Sequence, residues 1–144
     1  MKQAALILCL CLALGGAAAA QDLDTLIAVG EKSSCTIEDL AAMVPALAES
    51  AMEDGEPATR LQQALERIPA GRPLTKNRAA LVVARAFRVK SSLMYILIPT
   101  GRNAYRALVM DGVFDPSGSG AEVLSGVELL DFIAVAGQKY GDVR

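Results

Sequence analysis

Residues 104–136 read AYRALVMDGVFDPSGSGAEVLSGVELLDFIAVA. Ala104, Tyr105, Leu108 and Val109 recur at helical spacing and predict one helix. Asp111–Gly112 stops it, and Val113 and Phe114 stand where apolar residues fold back onto a helix that ends in glycine. Asp115–Val123 is rich in turn residues. Ser125 then reads as an N-cap, with Glu128 three residues on to complete a capping box. Leu124 and Leu129 occupy the N′ and N4 positions of a hydrophobic staple. Leu130, Ile133 and Ala134 extend the apolar stripe, and the helix should end between Gly137 and Gly141. This helix–loop–helix pattern, with no alternating run beside it, predicts an all-α fold.

Upstream segments repeat the pattern. Thr75 caps a helix whose apolar face is Ala80, Val83, Ala84 and Phe87, with Arg78, Arg85 and Arg88 on another face. Pro57 suits a first helical turn, Leu61, Leu65 and Ile68 form a stripe, and Pro69, Gly71 and Pro73 end it. Thr36 caps an earlier helix, with Asp39 in the capping-box position and Leu40, Met43, Val44 and Leu47 following; Pro45 predicts a kink or an early end. Residues 21–34 read as a mixed helical or extended lead-in ending in the polar turn Glu31–Ser34. Leu93–Ile98 is continuously apolar, a short helix or a buried strand that belongs in the core rather than in a surface patch. The expectation is a small bundle of roughly five short helices in one domain, residues 21–144.

Three helix starts echo one another: CTIEDLAAMV from Cys35, LTKNRAALVV from Leu74 and LSGVELLDFI from Leu124. Each has an apolar or Cys residue, then Thr or Ser, then three polar or mixed residues, then an apolar run. Their caps lie 39 and 50 residues apart, the size of a supersecondary repeat. The segment Ala104–Ala136 resembles an S-layer homology module, with Gly112, Phe114, Pro116, Ser125, Glu128 and Leu129 in the family's order. PLTKNRAALVVARAF, from Pro73 to Phe87, is similar to the second helix of a preceding module. The resemblance implies helix–loop–helix repeats and attachment to an envelope polymer through a motif that is usually Thr-Arg-Ala-Glu. Here those places hold Thr75-Lys76-Asn77-Arg78 and Ser125-Gly126-Val127-Glu128, so Lys76 alone keeps the base and Glu128 alone the acid. The family's Trp near the start of a module is missing. These departures leave the architecture as the stronger implication and polymer binding as the weaker.

The amino terminus, MKQAALILCLCLALGGAAAA, reads as a signal peptide over residues 1–20. It has Lys2 as the positive end, an apolar run from Ala4 to Leu14 and a small-residue cleavage site before Gln21. A lipoprotein cysteine would follow a small residue, whereas Cys9 and Cys11 both follow Leu. The expected location is therefore the periplasm or cell envelope, with no transmembrane span after cleavage. Cys35 is then the one cysteine left and is expected to be a buried, inert thiol. The chain has no His, which excludes a Ser-His-Asp triad, a Cys-His pair and imidazole metal ligands. Glu53, Asp54 and Glu56 sit in a polar turn with nothing to raise a carboxyl pKa. Read from Asp115 as a calcium loop, the segment has Glu122 at the eighth place and Gly126 at the twelfth, neither of which fits. The chain is thus expected to be no enzyme and to hold no metal or cofactor.

Charge is segregated. Residues 21–59 carry nine acids and one base, residues 60–106 ten bases and one acid, and residues 107–144 six acids and two bases. The basic third either pairs internally or meets a polyanion. Lys76, Arg78, Arg85, Arg102, Tyr105 and Arg106 are the candidate binding residues, Arg102 and Arg106 standing i, i+4 beside Tyr105. For an exported chain the expected partner is a cell-wall polymer, peptidoglycan included, and not nucleic acid. The alternative is a structural subunit that binds another periplasmic protein.

Overall fold

Capped starts and glycine- or proline-marked stops divide the chain into helices, as a computed structural model describing residues 23–44 and 56–141 shows. Among the described residues there are seven: α1 over residues 23–30, α2 Ile37–Ala42, α3 Glu56–Glu66, α4 Lys76–Ala86, α5 Leu93–Leu97, α6 Gly101–Met110 and α7 Gly126–Gly141. The fold is all-α. It has two helices more than the apolar stripes predict: the mixed lead-in is helical over residues 23–30, and Leu93–Leu97 forms one short turn of helix. The signal-peptide reading, Pro45, Leu47 and the Glu53–Asp54 turn lie outside the described residues, as does the side chain of Glu56.

Local chemistry accounts for the ends. Thr36, Thr75, Ser92 and Thr100 hold extended backbone ahead of α2, α4, α5 and α6. The last three hydroxyls accept the N–H of the third helical residue. Asp39 and Glu128 return the favour at α2 and α7, accepting the Thr36 and Ser125 N–H groups at 2.8 and 2.9 Å. α4 and α6 end alike. Val89 N–H donates to Ala84 O across a left-handed Arg88 (φ 51°), and Val113 N–H donates to Leu108 O across a left-handed Gly112 (φ 78°).

The three echoing helix starts meet at one place. Cys35 N–H donates to Leu124 O (2.8 Å), Leu124 N–H to Leu74 O (2.9 Å), and Leu74 N–H back to Cys35 O (2.8 Å). The three residues, each just ahead of a cap, close a ring of backbone hydrogen bonds, and all are buried. A second tier lies beside it. The first N–H groups of α2, α4 and α7, on Ile37, Lys76 and Gly126, donate to Arg72 O, Glu122 O and Lys32 O. Helix-terminal donors that would otherwise go unpaired are thus satisfied between units. Among the described residues the extended pairing is confined to two isolated bridges on this hub, Thr36–Pro73 and Thr75–Val123.

Around the hub, Leu40, Leu61, Leu74, Val82, Val83, Leu108, Leu124, Leu129 and Phe132 form a continuous core. Phe114 stacks on Phe132 at 4.7 Å and meets Tyr105 at 5.3 Å, which ties the 111–124 loop to α6 and α7. The α7 stripe differs from expectation in register: Ile133 is buried, but Ala134 is exposed, and Phe132 and Ala136 turn inward instead. Cys35 is 1% exposed, buried as expected, and that burial pushes its thiol pKa up. No helix among the described residues is long and apolar enough to cross a membrane.

Candidate polyanion-binding face

The six candidate residues fall into two groups. Lys76, at the first position of α4, points into the 115–122 loop. Its Nζ donates to Glu122 Oε2 at 2.6 Å and lies 3.3 Å from Glu128 Oε1, with its side chain mostly covered. The hydrogen bond to Glu122 raises the Lys76 pKa, and the same contact holds Glu122 below the usual carboxylate range. Glu128 is lowered first by the Ser125 backbone N–H it accepts and further by Lys76. Lys76 therefore clamps the loop and the start of α7 to the start of α4. It pairs internally, and its partners come from the acidic C-terminal third. In the first third, Lys32 pairs with Asp39 instead.

Tyr105 also departs from the expectation of a binding residue. Its ring is buried, and its hydroxyl donates to Gly118 O at 3.0 Å, with Asp115 O at 3.4 Å. Both side chains close on Gly118, where a methyl group would stand 3.2 Å from Lys76 Nζ and 3.4 Å from the Tyr105 hydroxyl. The loop is held further by Asp115, whose carboxylate accepts from the Ser117 N–H and hydroxyl and is lowered by them. At its far end a methyl on Gly120 would overlap the Asn77 side chain, so the backbone passes against α4 where no side chain would fit.

The remaining four are arginines. Arg78 braces its own helix start, donating from Nη1 to Pro73 O at 2.6 Å. Arg85 is half-buried on α4, and its charge acts on the Tyr95 phenol, whose pKa burial raises and Arg85 partly restrains. Arg102 and Arg106 are exposed on α6 one turn apart, and among the described residues neither is in an ion pair. α6 begins hard against α4, since a methyl on Gly101 would come within 2.9 Å of Asn77 O. Arg102 and Arg106 thus stand exposed on α6 and Arg85 half-buried on α4, while Lys76, Arg78 and Tyr105 make contacts within the fold.

Sequence reasoning misplaced one feature beside this face. Leu93, Met94, Ile96, Leu97 and Ile98 are not core: each is between 50% and 69% exposed, and only Tyr95 turns inward. A six-residue apolar run carries no period that separates a buried strand from a bare helix, so the residues alone gave no signal. The chain matches no family model, no curated protein and no solved structure.

Proposed function

We propose that this chain is an exported, non-catalytic attachment module of the cell envelope, similar to an S-layer homology unit, that holds an anionic wall polymer against α6. The observation that carries the reading is the Arg102–Arg106 pair, exposed and in no ion pair among the described residues. It lies in a stretch, residues 67–110, with nine bases and no acid. Two guanidinium forks one helical turn apart suit carboxylate or phosphate groups spaced along a polymer. The signal-like residues 1–20 give the compartment, and the three echoing starts joined at one hub support the modular reading. Lys76 carries no part of the binding, because its charge is already met by Glu122 and Glu128.

Pull-down of the purified protein with cell-wall sacculi tests this. Binding is expected at low salt and lost at high salt, and Arg102→Ala with Arg106→Ala should weaken it about tenfold or more. Lys76→Ala should leave the affinity within about twofold and lower the melting temperature instead. No sedimentation with sacculi at low salt, or a loss that follows Lys76 and spares the arginines, overturns the reading.

A further inference from the structure

α5 is held from beneath and bare above. Tyr95 anchors it in the core, the buried Ser92 caps it through the Tyr95 N–H, and Asn103 Nδ2 donates to Ile98 O at 2.9 Å and, more weakly, to Met94 O at 3.5 Å. Leu93, Met94, Ile96 and Leu97 are exposed around the rest of the helical wheel, and Ile98 is exposed just past its end. This is a convex apolar knob. A helix that docks in a protein groove offers one stripe and keeps the opposite side polar. Here no side is polar, so a groove that covered Leu93 and Leu97 would leave Met94 or Ile98 in water. A fluid apolar medium can surround all of them at once.

The surroundings of the knob carry the second half of the argument. Arg88 and Lys90 precede it, Arg102 and Arg106 follow it, and all four are exposed. None is in an ion pair among the described residues, and no acid occurs between Glu66 and Asp111 to oppose them. Exposed apolar side chains flanked along the chain by exposed bases match the composition of a lipid interface, acyl chains beneath phosphates.

We infer that α5 is a membrane-docking knob, which inserts Leu93, Met94, Ile96, Leu97 and Ile98 into the surface of an anionic bilayer while Lys90, Arg102 and Arg106 meet the phosphates. The inference rests on the envelope reading, which places the protein beside such a surface, and it offers Arg102 and Arg106 lipid phosphates in place of the polymer's anionic groups. The chain contains no Trp, so Leu97→Trp reports from the tip alone. Vesicles of phosphatidylglycerol and phosphatidylcholine in equal parts should shift its emission to the blue, and vesicles of phosphatidylcholine alone should do so far less. Arg102→Gln with Arg106→Gln should lower the partition coefficient by roughly tenfold or more. Leu93→Glu with Leu97→Glu should lower vesicle binding relative to the parent chain, whose residues 4–14 it shares, with an unchanged circular dichroism spectrum.

An emission that does not move on adding anionic vesicles overturns the inference. So does an emission already blue without lipid, with a dimer in sedimentation velocity that the Glu variant dissolves; α5 would then face a second copy. The two readings fail separately: the Glu variant should still sediment with sacculi, so loss of lipid binding alone leaves polymer attachment standing.

Discussion

Two residues in this chain occupy backbone positions that suit or punish their side chains, and they make opposite predictions. Arg88 holds a left-handed conformation that Gly112 holds at the same place in the other helix end. That conformation costs an L-residue about 1–2 kcal/mol, which glycine avoids at some entropic cost. Arg88→Gly should therefore raise stability by about 0.5–1 kcal/mol in urea unfolding. Gly126 is the reverse case. Its N–H pairs with Lys32 O, and a methyl group there would lie 1.8 Å from Val29 O. Gly126→Ala must push α7 off α1 and open the hub, and a loss of about 3 kcal/mol or more is expected from the same measurement. Sequence reading placed Gly126 correctly, as the residue after a cap, but gave no reason for a glycine there. The demand for glycine comes from a carbonyl nearly a hundred positions away, which no local pattern encodes.

At the scale of elements, capping was the legible part. A Ser or Thr with an acid three residues on is a complete local instruction, so Thr36 with Asp39 and Ser125 with Glu128 could be read in advance. The pairing of elements was not legible. Lys76 is recognisable as a base, but its partner Glu122 is 46 residues away on a loop whose course depends on Gly118, Gly120 and Tyr105. Lys76 reads as a ligand-binding base in the sequence for that reason. α5 shows the same limit, because its composition asks for burial while its position allows one residue in. Tyr95→Ala should cost about 3 kcal/mol. Leu97→Asp, two residues on and on the bare side of the helix, should change thermal stability by no more than about 0.5 kcal/mol.

For the whole molecule the carboxylates decide the response to acid. Burial pushes the Asp39 carboxyl up, but hydrogen bonds from Lys32 and from the Thr36 N–H outweigh it and hold it below the ordinary value. Glu38, bonded by the Gly71 N–H, is lowered too, as are Asp115, Glu122 and Glu128. A carboxylate whose folded pKa lies below its unfolded one stabilises the native state at pH above the unfolded value, and that contribution is lost as pH falls through the folded one. Stability should thus be level from about pH 7 to pH 5 and decline below about pH 4. Urea midpoints across that range check it. Asp39→Asn should lower the plateau and flatten the decline; an unchanged acid slope would remove Asp39 from the account.

The ring at the hub also has a temporal meaning. A chain that emerges amino end first, from a ribosome or through a secretion pore, can form the Leu74–Cys35 link as soon as its first two units are out. The other two links, and the seat of Gly126 under α1, both wait for Leu124 and its helix. Until the last segment arrives, a third of the ring holds two units whose remaining donors and acceptors face open water. The order of synthesis and the order of closure are therefore linked: two of the three links in the ring require the last helical unit.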